Sequence, residues 1–199
     1  MKSQLTATIE AITPEEYALA GKGWTMEYGF ADTPFGTCFI ASTPSGICSF
    51  QFVDDDAEAI LTAHKQEWHQ ANHRQDDSMA TALIWDIFSN TLSKRDVPLK
   101  LHVKGTPFQI EVWKALLAIP LGEVVTYGEL SQQMHRDKAV RAVASAIARN
   151  PVGLIIPCHR VIRSGGAVGQ YHWGSRRKAN MIAWEKQFPM NANNVREIY

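Results

Sequence analysis

Thr126-Tyr127-Gly128-Glu129, the pair His135-Arg136 and the run Asp137-Lys138-Ala139-Val140-Arg141-Ala142-Val143-Ala144-Ser145-Ala146-Ile147-Ala148-Arg149-Asn150 decide how the second half of this chain folds. A Thr with Glu three residues later is a capping box, in which each side chain satisfies the other's free backbone N–H. Leu130 and Met134 continue its apolar stripe. The spacing predicts a short helix from Thr126, a turn at His135-Arg136, and a longer helix opened by Asp137 and running through Lys138, Val140, Val143 and Ile147. That helix must end near Asn150, because Pro151 disfavours helical geometry in the residue before it. A short helix, a tight turn and a longer helix give a helix-turn-helix outline. Small side chains at Ala139, Ala142, Ala144, Ser145, Ala146 and Ala148 allow close approach to a partner such as the floor of a DNA groove. Alanine is also simply the best helix former. Arg141 and Arg149 among the alanines favour DNA.

Upstream, Thr106-Pro107-Phe108-Gln109 is a second capping box with proline at the first helical position, and the helix continues through Val112, Trp113, Leu116 and Leu117 to Pro120. A short strand is expected at Leu99-Lys100-Leu101-His102-Val103, after a linker around Ser93-Lys94-Arg95-Asp96. In the first half, Trp24, Met26 and Tyr28 alternate in the strand manner. Turns at Thr33-Pro34-Phe35-Gly36 and Pro44-Ser45-Gly46 separate them from Cys38-Phe39-Ile40-Ala41 and from Ile47-Cys48-Ser49-Phe50-Gln51-Phe52. Asp54-Asp55-Asp56 caps a helix to about Trp68, residues 72–77 read as a loop, and Ser78 to Leu92 as a helix with Leu83, Ile84, Ile87 and Phe88 on one stripe. The expected class is α+β: an N-terminal unit, residues 1–98, with a small antiparallel sheet and helices, and a mostly helical C-terminal unit, residues 99–199, with the helix-turn-helix.

The chain has 199 residues, 45% of them hydrophobic, enough for a full core. No stretch has the apolar length of a membrane span, and Met1-Lys2-Ser3-Gln4-Leu5 lacks the apolar core of a signal peptide. Cys38, Cys48 and Cys158 are an odd, sparse set that suits a reducing cytoplasm better than a disulfide framework. Without a Cys-x-x-Cys pair, a thiolate zinc cluster has no sequence support. The net charge of zero hides an asymmetry: residues 1–100 carry 14 acidic and 7 basic side chains, residues 101–199 carry 6 and 13. The basic half is a candidate phosphate-binding surface.

Pro157-Cys158-His159-Arg160 is the candidate chemistry. It follows the apolar run Val152-Gly153-Leu154-Ile155-Ile156, read as a buried strand or extended segment, and precedes the turn Ser164-Gly165-Gly166. A thiol beside an imidazole suits nucleophilic chemistry, since the thiolate is the reactive form. Arg160, Arg163, Arg176 and Arg177 are expected to lower the cost of that thiolate. A lone Cys is equally a small core residue. In a strand, neighbouring side chains face opposite ways, so a direct Cys158–His159 bond requires the backbone to turn.

From Pro107 to about residue 188, the runs Lys138-Ala139-Val140-Arg141-Ala142-Val143-Ala144-Ser145, Pro157-Cys158-His159-Arg160-Val161 and Tyr171-His172-Trp173-Gly174 resemble the catalytic domain of the 6-O-methylguanine-DNA methyltransferases, and within that family the C-terminal part of bacterial Ada. Thr33-Pro34-Phe35-Gly36 resembles the start of the family's N-terminal strand domain. The resemblance implies suicidal repair of alkylated guanine in duplex DNA, extension to thymine being left open, by base flipping from the minor groove, with no cofactor and acting as a monomer. It implies Cys158 as acceptor, His159 acting through a water, Glu185 holding His159, and Asn150 tying the helix-turn-helix to the active-site segment. Tyr127 then helps protonate the leaving guanine, and Arg141 fills the gap left by the base. Ala139, Ala142 and Arg163 complete the DNA-binding set, and Val161, Tyr171 and His172 the base pocket, the last two through backbone amides. By position alone, Glu185 reads as an exposed helix residue. His172 stands where many members have a small hydroxyl residue, so a narrower pocket is expected. The zinc ligands of animal members have no counterparts in the first half, so the resemblance implies no metal; Ada's regulatory modules have none either, so a stand-alone repair protein is expected. Two other readings remain: a lesion-binding protein without transfer, disfavoured by Cys158, and a cysteine hydrolase, which leaves the helix-turn-helix unexplained.

Overall fold

A computed structural model describes residues 6–92 and 98–187. The expected linker at 93–96 lies outside the described residues. The chain opens with β1 (Ala7–Ala11) and a short helix α1 (Pro14–Ala18), which a third capping box, Thr13 with Glu16, begins. Then come β2 (Thr25–Thr33), β3 (Gly36–Thr43) and β4 (Gly46–Phe52), joined by the two expected tight turns. Asp56 caps α2 (Ala57–Glu67) by accepting from the Ala59 N–H. Next are β5 (Asn72–Gln75), α3 (Asp77–Leu92) and β6 (Leu99–Val103).

The sheet is larger than expected and mixed. Its order is β1-β6-β4-β3-β2-β5, with antiparallel pairs β2–β3 and β3–β4 and parallel pairs β1–β6, β4–β6 and β2–β5. Two corrections follow. Residues 72–75, expected in a loop, form an edge strand, because their backbone pairs beside β2 although the side chains are polar. The strand 99–103 hydrogen-bonds between β1 and β4, so the first half's sheet continues past residue 98.

The helical half follows the capping signals. Thr106 and Gln109 box the start of α4 (Pro107–Leu117); after β7 (Val125–Thr126), Thr126 and Glu129 box α5 (Tyr127–Gln133). The turn after α5 includes His135 at φ 55°, and Arg136 pairs with Glu111 on α4 at 3.2 Å. The longer helix, α6 (Val140–Ala148), begins three residues later than Asp137. Residues 136–139 form a turn closed by the Ala139 N–H to the Arg136 carbonyl at 2.7 Å, which leaves Asp137 outside the helix. Val143, Ala146 and Ile147 of α6 are buried, and the Trp113 indole N–H donates to the Ala146 carbonyl at 3.0 Å, fixing α6 across α4.

Residues 152–156 are not a strand. Val152 makes one bridge to Phe50; the chain then turns through Gly153 and Leu154, which has φ 62°. Gly153 is required here, since a Cβ would lie 2.6 Å from the Trp173 ring. The run is buried as expected, but as a turn whose polar groups are tied off locally. A single 3-10 turn, Cys158–Arg160, leads into β8 (Val161–Ile162), paired with β7, and α7 (Ser175–Lys186) closes the fold.

Candidate active site

Asn150 is where the site begins. At the end of α6, its Nδ2 donates to the Ile156 carbonyl at 2.9 Å and to Cys158 Sγ at 3.2 Å, while its Oδ1 accepts from the Val152 N–H at 3.0 Å. One buried carboxamide thus binds the second helix of the helix-turn-helix to the turn and to the thiol.

The 3-10 turn then sends Cys158 and His159 to different neighbours. His159 is fully buried, and its Nε2 lies 2.7 Å from Glu185 Oε1 on α7. Arg160 is also buried. Its Nε and Nη2 donate to Glu185 at 2.8 and 2.9 Å, and its Nη1 to the Ile119 carbonyl at 2.6 Å. Glu185, which position alone places in solvent, is 5% exposed; a carboxylate is tolerated there because three side-chain N–H groups converge on it. Burial opposes its ionisation, but His159 and Arg160 outweigh burial and bring its pKa down to about 2. Burial favours neutral His159, against the pull of Glu185. With Nε2–H donating to the carboxylate, Nδ1 carries the lone pair. That atom is buried and has no hydrogen-bond partner among the described residues.

Cys158 lines a cavity of about 540 Å³. Tyr127 at the start of α5, Ala144, Ile147 and Ala148 of α6, and Tyr171, His172, Trp173 and Lys178 line it with the thiol, so the thiol shares a cavity with the alanine-rich helix. Two phenols face this space. Burial raises the pKa of each and neighbouring Cys158 adds to the rise, so both stay protonated as donors at neutral pH. The Tyr171 hydroxyl is buried beside the Cys158 thiol. Val161 sits behind the cavity, fully buried, rather than on its surface. Arg141 and Ala142 lie on the exposed face of α6, Ala139 is half-buried at its N-cap, and Arg163 is exposed just beyond β8.

The sequence reading missed Lys178. It is 1% exposed, donates from Nζ to the Val161 carbonyl at 2.6 Å, and lines the cavity. Burial brings its pKa down to about 8, against the pull of Cys158. Within Arg176-Arg177-Lys178 it reads as solvated charge, but its spacing with Met181, Ile182 and Glu185 is one helix face, and that face is buried. Two of the four expected arginines do not serve the thiolate: Arg160 is committed to Glu185, and Arg177 to Asp54 and two carbonyls.

Two family models match this chain: the ribonuclease-like domain of 6-O-methylguanine DNA methyltransferase over residues 26–101, and its DNA-binding domain over residues 107–187. The chain belongs to the 6-O-methylguanine DNA methyltransferase family. Among relatives, it is 38% identical over 178 residues to the bifunctional transcriptional activator/DNA repair enzyme Ada of Escherichia coli, covering 88% of this chain and 50% of Ada. The chain thus spans about half the length of the Ada proteins it matches. It is 33% identical to the methylated-DNA–protein-cysteine methyltransferase of Mycolicibacterium paratuberculosis, covering 81% of this chain and 93% of that protein. The crystal structure of Mycobacterium tuberculosis O6-methylguanine methyltransferase superposes with a TM-score of 0.67 at 31% identity, covering 83% and 96% of the two chains. That of the M. tuberculosis OGT in complex with DNA gives 0.65 at 30% identity, covering 81% and 93%.

In this member of the methyltransferase family, burial raises the Cys158 thiol above its ordinary value, while the Asn150 bond and the Lys178 charge oppose the rise. The free protein therefore holds a thiol at neutral pH. Iodoacetamide should label Cys158 slowly at pH 7, with a rate that climbs about tenfold per pH unit to beyond pH 9. Peptide mapping by mass spectrometry checks this; a rate already flat at pH 6 would mean a preformed thiolate.

Proposed function

We propose that this chain repairs alkylated DNA by moving one alkyl group from O6 of guanine, with O4 of thymine as a further candidate substrate, to Cys158, once per molecule. The observation that carries this reading is a buried thiol lining a 540 Å³ cavity that Ala144, Ile147 and Ala148 of the helix-turn-helix also line. That volume falls in the range of small-molecule pockets. The lesion lies inside the duplex, so the nucleotide must be flipped out to reach it. The exposed small side chain of Ala142 on α6, with half-buried Ala139 at its N-cap, fits close approach to the minor groove, and Arg141 takes the vacated place in the stack. Arg163 adds positive charge at the mouth. Contacts to phosphate suit a protein that must bind without regard to sequence. The similar structure solved with DNA supports this partner.

In the reaction, the Cys158 thiol gives its proton to His159 through a water at Nδ1, with Glu185 holding the ring and stabilising its charge. Sulfur then attacks the alkyl carbon in line. The C–O6 bond breaks, its electron pair stays with guanine, and Tyr127 supplies a proton to the leaving base and is reprotonated through solvent as His159 releases the proton it took from Cys158, so that both return to their neutral forms. Lys178 stabilises the thiolate as it forms. Tyr171 and His172 bound the base pocket, with Val161 supporting it from behind. The product is a thioether with no hydrolytic exit, which makes each molecule single-use. We assign the work to two units, an N-terminal one whose sheet runs on through β6 to Val103 and a helical one that begins with α4 at Pro107, in a cytoplasmic monomer. Among the described residues no helix is long and apolar enough to cross a membrane.

The test is incubation with a duplex carrying O6-methylguanine, followed by intact-mass measurement and peptide mapping. One methyl per protein, on the peptide containing Cys158, is expected. Binding without mass gain, or many methyl groups removed per protein, overturns the reading.

Arg141→Ala separates flipping from chemistry. Repair of the duplex should slow about tenfold or more, since unstacking costs a few kcal/mol that the side chain partly offsets. Transfer from free O6-benzylguanine should stay near the unaltered rate. Equal loss with both substrates would remove Arg141 from this role.

A further inference from the structure

We infer that Asp54 and Arg177 form a clasp through which the N-terminal sheet sets the position of the cavity wall at residues 171–174, and with it the size of alkyl group that Cys158 accepts. The inference rests on the transfer reading above. Arg177 and Lys178 are neighbours on α7 that face different ways. Lys178 reaches the cavity, whereas Arg177 reaches back to the sheet. The Arg177 Nε donates to the Phe35 carbonyl in the β2–β3 turn at 2.9 Å, and Nη1 donates to the Trp173 carbonyl at 2.6 Å. Nη2 and Nη1 donate to the Asp54 carboxylate at 2.5 and 3.3 Å, just beyond β4. The guanidinium also lies 4.6 Å over the Phe52 ring of β4.

Trp173 is the piece this clasp holds. Its ring lines the cavity, packs edge-on to Phe52 and to Tyr171, and presses on Gly153. His172 stacks edge-on against it at 4.9 Å. Wherever Trp173 sits, Tyr171 and His172 follow. A cleft of about 310 Å³ lies beside the clasp, with Phe35 and Asp54 from the sheet and Trp173 and Arg176 among its lining residues. It gives the wall somewhere to move when the guanidinium is released.

An isolated exposed ion pair is worth little, but this one is a planar fork that binds a carboxylate and two carbonyls from three separate segments. Only arginine has the donors and the rigid geometry for that. Asp54, near the start of the acidic run, thereby acquires a positioning role: it anchors the fork rather than touching substrate.

The test uses the full chain carrying Asp54→Asn or Arg177→Lys. Active molecules are first counted by exhaustive alkylation. Transfer rates per active molecule are then measured from O6-methylguanine and O6-benzylguanine in the same duplex, with duplex affinity measured separately. Both variants should change the benzyl-to-methyl rate ratio by about fivefold, because small displacements in a reacting pocket weigh differently on large and small groups. Duplex affinity should be unchanged, and the lysine should not restore the ratio although it keeps the charge. An unaltered ratio, with only fewer active molecules or a lower melting temperature, overturns the clasp and leaves the transfer reading intact. An unaltered protein that transfers from neither substrate overturns the transfer reading itself, whatever the variants do.

Discussion

Cys158→Ala binds the methylated duplex as tightly as the unaltered protein and acquires no methyl group at all. The fold should survive the change, because the partner of the thiol is not orphaned. Asn150 Nδ2 keeps its bond to the Ile156 carbonyl, and its Oδ1 keeps the Val152 N–H. Loss of one buried sulfur should cost on the order of 1 kcal/mol. Cys38 and Cys48 cannot substitute. Both are buried in the sheet, away from the cavity, and burial pushes both thiols up to about 12. Fluorescence anisotropy with a labelled duplex and intact-mass measurement check the two halves of this expectation. A methyl group on the variant at any cysteine would refute the assignment of the acceptor, and a large loss of affinity would show that the sulfur helps to hold the base.

What the sequence made readable was what local chemistry determines. The capping boxes at Thr106 and Thr126 locate α4 and α5 because the reciprocal bonds span only three residues. The same signal stands at Thr13-Pro14-Glu15-Glu16 and could have found α1. The alternation and turns of residues 23–53 give β2 to β4, since side-chain direction there is set by the pleat. Parallel pairing is less visible. Asn72–Gln75 has no apolar face and becomes a strand only because β2 offers its edge, and Leu99–Val103 inserts between strands distant in sequence. The apolar run 152–156 shows burial without conformation, because a buried turn and a buried strand have the same composition.

The site divides along the same line. Tyr127, Asn150, Cys158 and His159 stand in motifs, and the structure brings them to one cavity or its immediate support. Glu185, Lys178 and Arg177 lie on α7, where nothing local distinguishes a charge that meets water from one that meets a buried imidazole, thiol or carbonyl. Their roles depend on which face of α7 packs inward. The alkyltransferase resemblance supplied Glu185; Lys178 and Arg177 needed coordinates.

Glu185→Gln should damage both stability and transfer. The unaltered carboxylate receives Nε and Nη2 of Arg160 and Nε2 of His159. The amide offers one acceptor in place of two and turns an N–H₂ towards a donor. Arg160, 6% exposed, is left charged with the Ile119 carbonyl as its main partner. Removing one member of a buried pair costs about 3–5 kcal/mol, which for a chain of this size is a fall of roughly 10 °C in melting temperature. The pH dependence has a definite sign. The folded pKa of Glu185 is brought down from 4.5 to about 2, so its contribution is fully present above pH 4.5 and is lost as pH falls towards 2. The unaltered protein should lose stability steeply across that window, and the variant, which lacks the titrating group, should show a shallower loss. Activity should fall further than stability. At a temperature where the variant is folded, His159 lacks the anion that fixes its ring and favours its charged form, and transfer should slow about 10²-fold or more. Calorimetry between pH 2 and 7, with single-turnover rates at low temperature, decides the matter. A variant as stable as the unaltered protein at pH 7 would mean that Glu185 does not balance Arg160, and one that transfers at the unaltered rate would mean that it does not serve His159.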